Sequence, residues 1–239
     1  KAYDSVPHSW IEKVMELYRL DEDTTRFCTT VMHTWRTQII LRTEAGEEIR
    51  TKKIRIKRGI FQGDSLSPLI FCMCLIPFSH EFNEMRVGYG ISATTRINHM
   101  LYMDDLKLLA EDRTDLGRML NVVKQLSNDI SMELGLDKCA TATIEKGRMS
   151  CAENMKVDEL EIQNLEPGAH YKYLGVNEGE GVKQNDMKSS LRKEYIARTR
   201  KILKTQLTGK NKIMAINSLA IPVLDYSFGI IDWTDEEIR

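Results

Sequence analysis

Residues 101–110 read LYMDDLKLLA and place two adjacent carboxylates, Asp104 and Asp105, between short apolar runs. Runs of that length, rich in Leu and Tyr, suit buried strands. Asp-Asp at the centre then reads as a tight turn that exposes both acids at the strand tips. Carboxylates in such a place cost stability unless a cation binds them. A hard divalent ion such as magnesium is the natural partner, because it prefers oxygen ligands and is often held by one or two carboxylates plus substrate phosphates. The plain alternative is an ordinary hairpin turn, since Asp is a common turn residue.

A second segment bears on that choice. Residues 57–78 read KRGIFQGDSLSPLIFCMCLIPF. Gly59 and Gly63 bracket Gln62 in a loop, and glycine lets a backbone approach a ligand without interference from Cβ. The Gln62 amide can hydrogen-bond a sugar or base there. Ser67 followed by Pro68 predicts a capped helix start.

With these blocks in view, the chain resembles the reverse transcriptase palm of non-LTR retrotransposons. Lys1 to His8 (KAYDSVPH) is similar to the end of the first palm motif, and Arg58 to Pro68 (RGIFQGDSLSP) to the second. Tyr102-Met103-Asp104-Asp105 resembles the third, the catalytic hairpin. Gly135 to Cys139 (GLDKC) resembles the fourth, and Tyr171 to Gly175 (YKYLG) the fifth, the primer grip. Ala215 through Trp233 resembles the segment that follows the palm. Five blocks in the family's order carry far more weight than one Asp pair. The tail from Ala220 to Ile230 favours a retrotransposon over a group II intron-type or other cellular enzyme. A non-catalytic remnant that binds RNA or protein is the alternative of a different class.

The resemblance implies RNA-directed DNA polymerase activity: transfer of a deoxynucleotide to a primer 3′-hydroxyl on an RNA template, with two magnesium ions, or manganese in their place. Asp104 and Asp105 would be metal ligands, Asp104 the principal one. Lys138 would neutralise the triphosphate or protonate the leaving pyrophosphate. Tyr3 would lie under the incoming sugar and crowd a 2′-hydroxyl; a core tyrosine is the alternative. Gln62, Gly63, Lys57 and Arg58 would bind substrate, and Tyr171, Tyr173, Leu174 and Gly175 would position the primer. In the family the first motif opens with a metal-binding Asp three residues before the position matched by Lys1. Asp4 follows the aromatic Tyr3 instead of preceding it, and reads as a post-strand residue capping the helix near Pro7. Both ends read as cut, and the isolated chain is expected not to polymerise.

Composition bounds the rest. Lys plus Arg is 34 against 35 acids, so net charge gives no support to nucleic-acid binding. The distribution is more telling. From Arg50 to Arg58 six of nine residues are basic and none is acidic. From Lys188 to Lys212 nine basic residues face one acid, Glu194. Such a run is a solvated helix face or, beside a palm, a surface that tracks phosphates. The five cysteines lack zinc-site spacing and read as free thiols in a reducing, intracellular compartment, cytoplasm or nucleus. No run approaches the ~20 apolar residues of a membrane span.

The elements that must position these residues follow from periodicity. Helices are expected in 7–34, a hairpin over 37–57 turning at 44–47, and a long buried helix over 67–86 with Pro77 inside. Strands flank the Asp-Asp turn in 89–110. An amphipathic helix over 114–134, with Leu116, Leu120, Val123, Leu126 and Ile130 on its stripe, should end at Gly135. Strands are expected near 139–144 and 171–176 around a weakly patterned 146–170, and helices near 187–207 and 211–226. The class is α+β: a palm with an antiparallel sheet covered by helices over 1–178, then a helical, thumb-like segment over 179–239, joined by the linker Asn177 to Gly181.

Overall fold

The computed structural model describes residues 2–44 and 46–238, without the side chains of Leu136 and Leu160. Lys1 of the first motif and Ala45 of the expected hairpin turn lie outside the described residues. The chain forms two compact units, Lys1–Cys139 with Met155–Glu161, and Ala140–Asn154 with Ile162–Arg239.

The first unit opens with a helical turn, α1 (Ala2–Ser5), where a strand was expected up to Tyr3. Helices α2 (His8–Leu17) and α3 (Glu22–Thr34) follow. Asp4 does not cap α2. The N-cap is Pro7, extended at φ −68° and ψ 139°, with no side-chain cap. A stem of paired strands comes next: β1 (Arg36–Thr37), β2 (Ile40–Arg42), β3 (Glu48–Arg50) and β4 (Ile54–Arg55). Here β2 pairs with β3 and β1 with β4, both antiparallel. The apolar residues of this stem are poorly covered: Leu41, Ile49 and Ile54 are all exposed.

Helix α4 (Ser67–Glu84) is the spine of this unit. Phe71, Cys74, Leu75, Phe78 and Phe82 bury on it against Val6, Ile11 and Met119. Ser67 is not its cap. It is the first helical residue, buried, with its hydroxyl donating to Asp64 Oδ2 at 3.3 Å, and Leu66 occupies the cap position. Pro77 removes one helical N–H, and close to that break the Trp10 indole donates to Cys74 O at 3.0 Å.

The strand pairs β5 (Tyr89–Gly90) with β6 (Arg96–Ile97) and β7 (His99–Tyr102) with β8 (Asp105–Leu108) lead to α5 (Arg113–Asp129). This helix stops before Gly135. Ser131 takes φ 54°, its N–H bonds Asn128 O at 2.9 Å, and Met132 N–H reaches Ser127 O at 2.8 Å. That is a Schellman termination built on serine where glycine is usual. Val123 and Ile130 of the expected stripe are buried and Leu126 packs partly buried against the core, while Met119 and Ser127 are buried as well and Leu116 and Leu120 only half-buried.

Beyond Cys139 come β9 (Ala140–Thr141), β10 (Thr143–Glu145), β11 (Arg148–Ser150), β12 (Met155–Val157), β13 (Leu160–Asn164), β14 (Tyr171–Tyr173) and β15 (Val176–Glu178). The weakly patterned 146–170 thus holds three strands. Each buries only one or two side chains, such as Met149, Met155, Val157 and Ile162, too few for a visible alternation. Strands β10 and β11 form a hairpin, and β9 runs parallel to β13. Asn177 to Gly181 is folded: Gly179 N–H bonds Gly181 O, and Lys183 N–H bonds Asn177 O. Helices α6 (Gln184–Leu203), α7 (Gly209–Leu219), α8 (Pro222–Asp225) and α9 (Asp235–Ile238) complete the second unit. The expected helix 211–226 is broken, because Pro222 starts a helix more readily than it continues one. Thr234 and Glu237 form the reciprocal capping box, 2.9 Å and 3.3 Å, at the start of α9.

The class is therefore α+β. Within each unit the strands are two to five residues long and pair mainly as hairpins. Among the described residues no helix is long and apolar enough to cross a membrane.

Candidate active site

The Asp-Asp turn is real, with a shifted centre. Tyr102 pairs with Asp105 across β7 and β8, so the two central loop residues are Met103 and Asp104. Both acids are exposed. Met103 has φ 52°, while Asp104 is not in the left-handed region. A two-residue hairpin demands positive φ at its first central residue, a place that normally favours glycine. A half-buried methionine there is backbone strain held by its surroundings, and such strain gathers at functional sites.

What holds Met103 is the rest of the site. The Tyr3 hydroxyl donates to Met103 Sδ at 3.7 Å, and the Cys72 thiol reaches the same sulfur at 3.7 Å. The Tyr3 ring stacks on Phe71, centroids 4.5 Å apart and 10° from parallel. One residue from the first motif, two from α4 and one from the hairpin thus converge next to Asp104. Burial pushes the Tyr3 phenol above its ordinary pKa, with the Cys72 thiol and the Asp104 carboxylate adding to it. The phenol stays protonated and keeps its donor.

The second motif docks onto the first through backbone. Ile60 N–H bonds Tyr3 O and Gly59 N–H bonds Val6 O, both at 2.8 Å, and His8 N–H bonds Lys57 O at 3.1 Å. The buried His8 ring adds Nε2 to Gly59 O at 3.0 Å. Gly59 has φ +94°, and a Cβ there would lie 3.1 Å from Asp4 O. Gly63 has φ +99° and open space around it, with Gln62 exposed beside it. The two glycines differ in kind: one permits packing, the other leaves the loop bare to a ligand. Lys57 and Arg58 are exposed at the seam between the motifs.

Lys138 is exposed at the end of the 3-10 turn Leu136–Lys138, and its N–H bonds Gly135 O at 2.9 Å. Tyr171 to Gly175, expected as the primer grip, belong to the second unit. Leu174 and Gly175 are the two central residues of the β14–β15 hairpin, with φ 47° and 83°. Tyr173 is buried and Tyr171 exposed, and the Tyr226 hydroxyl donates to Leu174 O at 2.7 Å. In the basic run 188–212 three cations serve the fold. Lys188 pairs with Glu237 at 2.7 Å beside the Trp233 ring, Arg198 donates to Leu219 O, and Lys212 donates to Leu203 O at the carbonyl end of α6.

Sequence reasoning missed Met103, Phe71 and His8. The strand alternation, with His99 and Leu101 inward and Met100 and Tyr102 outward, points to a two-residue loop and hence to Met103 at its first position. Nothing in the sequence alone pairs Tyr3 with Phe71.

The donor set of Asp104 and Asp105 fits a magnesium ion in chemistry: hard oxygen ligands, adjacent, exposed at a hairpin tip. It is partial in number, since no group of three His, Cys, Asp or Glu gathers among the described residues.

Residues 1–178 match the family model described as reverse transcriptase (RNA-dependent DNA polymerase). The chain belongs to that family. Among its relatives is the Retrovirus-related Pol polyprotein from type-1 retrotransposable element R2 of Popillia japonica, 28% identical over 180 residues, covering 74% of this chain and 29% of that protein. The corresponding protein of type-2 retrotransposable element R2DM from Drosophila melanogaster is 23% identical over 252 positions, covering 100% of this chain and 23% of its own length. A type-1 element R2 protein of Nasonia vitripennis is 29% identical over 184 residues, 74% of this chain and 17% of that protein. The chain spans less than a third of the length of each.

Proposed function

We propose that this chain is the catalytic palm and the start of the thumb of an R2-like retrotransposon polymerase, with the palm reaching about residue 178. The reaction is addition of a deoxynucleotide to a primer 3′-hydroxyl opposite an RNA template. The primer 3′-oxygen forms a bond to the α-phosphorus, the bond to the β-phosphate oxygen breaks, pyrophosphate leaves, and the hydroxyl proton passes to solvent. The observation that carries the reading is the junction of Tyr3, Phe71, Cys72 and Met103 beside the exposed Asp104 and Asp105.

Asp104 and Asp105 would hold divalent metal, whose bound form stabilises the attacking and leaving oxygens of the displacement. The remaining work falls to the chain. The Tyr3 ring, fixed flat on Phe71 and tied by its hydroxyl to Met103, offers a rigid edge against a sugar 2′-hydroxyl. Gln62 and Gly63 offer an amide and a bare backbone to the incoming nucleotide. Lys57, Arg58 and Lys138 offer cations to phosphate, and Tyr171 to Gly175 steady the primer.

The test is RNA-templated primer extension by a polypeptide carrying the whole first motif. Tyr3→Phe should retain sugar discrimination, because the ring stays on Phe71, while Tyr3→Val should raise ribonucleotide incorporation. An unchanged ratio of the two specificity constants in Tyr3→Val removes Tyr3 from the substrate side and makes it a core residue.

A further inference from the structure

A cavity of about 440 Å³ opens at the foot of the basic stem, lined by none of the residues given roles above. Trp35, Phe61, Arg36, Lys53 and Gln38 line it, with no acid among the described residues of its walls. We propose that this cavity holds one unpaired nucleotide of a nucleic-acid strand, with the base on the Phe61–Trp35 pair and the phosphate at Arg36 and Lys53. Nucleic acid as the partner class rests on the polymerase reading of the chain.

The aromatic wall is built for stacking. Phe61 is 49% exposed, which is costly for a ring that nothing covers. Its centroid lies 4.4 Å from Trp35 at a 51° tilt, so the two rings form an open wedge and not a closed stack. Trp35 is held from several sides. His8 meets its ring edge-on at 5.3 Å, its N–H bonds Met32 O, and its carbonyl accepts from Ile56 N–H at 3.1 Å. A platform fixed in advance spends little ordering entropy on binding.

The cationic wall is costly without an anion. Arg36 stands directly across the ladder from Arg55, a like-charge pair that destabilises a strand pairing. Arg36 Nη1 donates to His33 O at 2.7 Å and Trp35 O at 2.8 Å, which fixes the guanidinium at the cavity edge. Lys53 lies just before β4, inside the stretch Arg50–Arg58 that contains no acid. A phosphate relieves this repulsion, and an exposed base adds the π-face that the rings require. A duplex offers the phosphates but hides the faces of its bases. An acidic peptide offers the charge but no ring.

The experiment titrates the 239-residue chain with a fluorescent (U)12 strand, a 12-base-pair duplex and a (Glu)12 peptide across a salt series. Phe61→Ala should weaken (U)12 binding about tenfold, within the range of one lost base–aromatic stack, and change duplex binding less than twofold. Lys53→Gln should lower the salt slope on (U)12 by somewhat less than one. Bound (U)12 should quench tryptophan emission, and Trp35→Phe should abolish that quench while keeping most of the affinity. Phe61 is half exposed, so Phe61→Ala should melt with the parent. Equal weakening on strand and duplex, or none on either, overturns the proposal. Binding of (Glu)12 as tight as (U)12 overturns it in favour of an acidic protein partner. The primer-extension defect expected of Asp104→Asn is independent of these titrations, so failure of the pocket and failure of the polymerase reading are separable.

Discussion

Gly59→Ala and Gly63→Ala form a matched pair that separates a packing glycine from a glycine kept bare for a ligand. Both residues have positive φ, +94° and +99°. Either alanine therefore carries the left-handed penalty of about 1–2 kcal/mol. At Gly63 nothing lies within 4 Å of the new Cβ, so that penalty is the whole effect. At Gly59 the Cβ would sit 3.1 Å from Asp4 O and 3.2 Å from Asp4 Cα, both backbone atoms of the first motif. Relief would pull on the Gly59–Val6 and Ile60–Tyr3 hydrogen bonds, each worth about 0.5–1.5 kcal/mol net. Gly59→Ala should thus cost about 2–5 kcal/mol, roughly twice Gly63→Ala or more. The assay is urea unfolding followed by Trp10 and Trp35 emission in a Trp233→Phe background, because both remaining tryptophans belong to the first unit. Equal midpoint shifts, or a larger shift for Gly63→Ala, would refute the contact argument. In primer extension the order should reverse: Gly63→Ala should raise KM for nucleotide out of proportion to its small stability loss.

Burial holds the His99 imidazole below its ordinary pKa of 6.5. The unfolded chain then binds the extra proton first, so His99 contributes stability that is present above pH 6.5 and lost as pH falls through its folded value; His99→Gln should flatten the stability profile in that window, and a profile as steep as the parent's would contradict this. The Cys74 thiol is fully buried and pushed up to about 12, so iodoacetamide at pH 8 should label exposed Cys151 in native protein and spare Cys74 until the first unit unfolds, as peptide mass mapping would show. Met103→Gly should relieve the positive φ yet cost the two sulfur contacts and the half-buried side chain, with a net change within about 1 kcal/mol of zero; a loss above about 3 kcal/mol in urea unfolding would mean that the contacts outweigh the strain.

The placement of much of the candidate site was legible because its residues lie in short, contiguous blocks. Asp104, Asp105, Gln62 and Gly63 stand exposed where the motifs suggested, and long periodic segments such as α4 and α5 formed as expected. What the sequence hid is non-local. The Tyr3–Phe71 stack and the His8–Gly59 contact join residues 68 and 51 positions apart. Local signals also misled where a neighbour overrode them. Ser67 is an ideal cap residue but is drawn into the core, so Leu66 takes the cap position. Gly135 is an ideal helix stop, but Ser131 adopts the left-handed turn four residues earlier. Ile54 alternates with basic neighbours as a buried strand face would, and only tertiary structure shows it uncovered.

The central claim is that Asp104 and Asp105 carry the chemistry. RNA-templated extension of a DNA primer, measured in magnesium for a polypeptide with the first motif whole and for its Asp104→Asn variant, tests it most directly. Asp104→Asn keeps the size of an exposed turn residue, so the fold and its melting should not change. Extension should fall by about three orders of magnitude or more, as expected when a metal-centred electrostatic contribution of several kcal/mol is lost. Activity within a few-fold of the parent would contradict the account and leave the exposed acidic turn as ordinary hairpin chemistry.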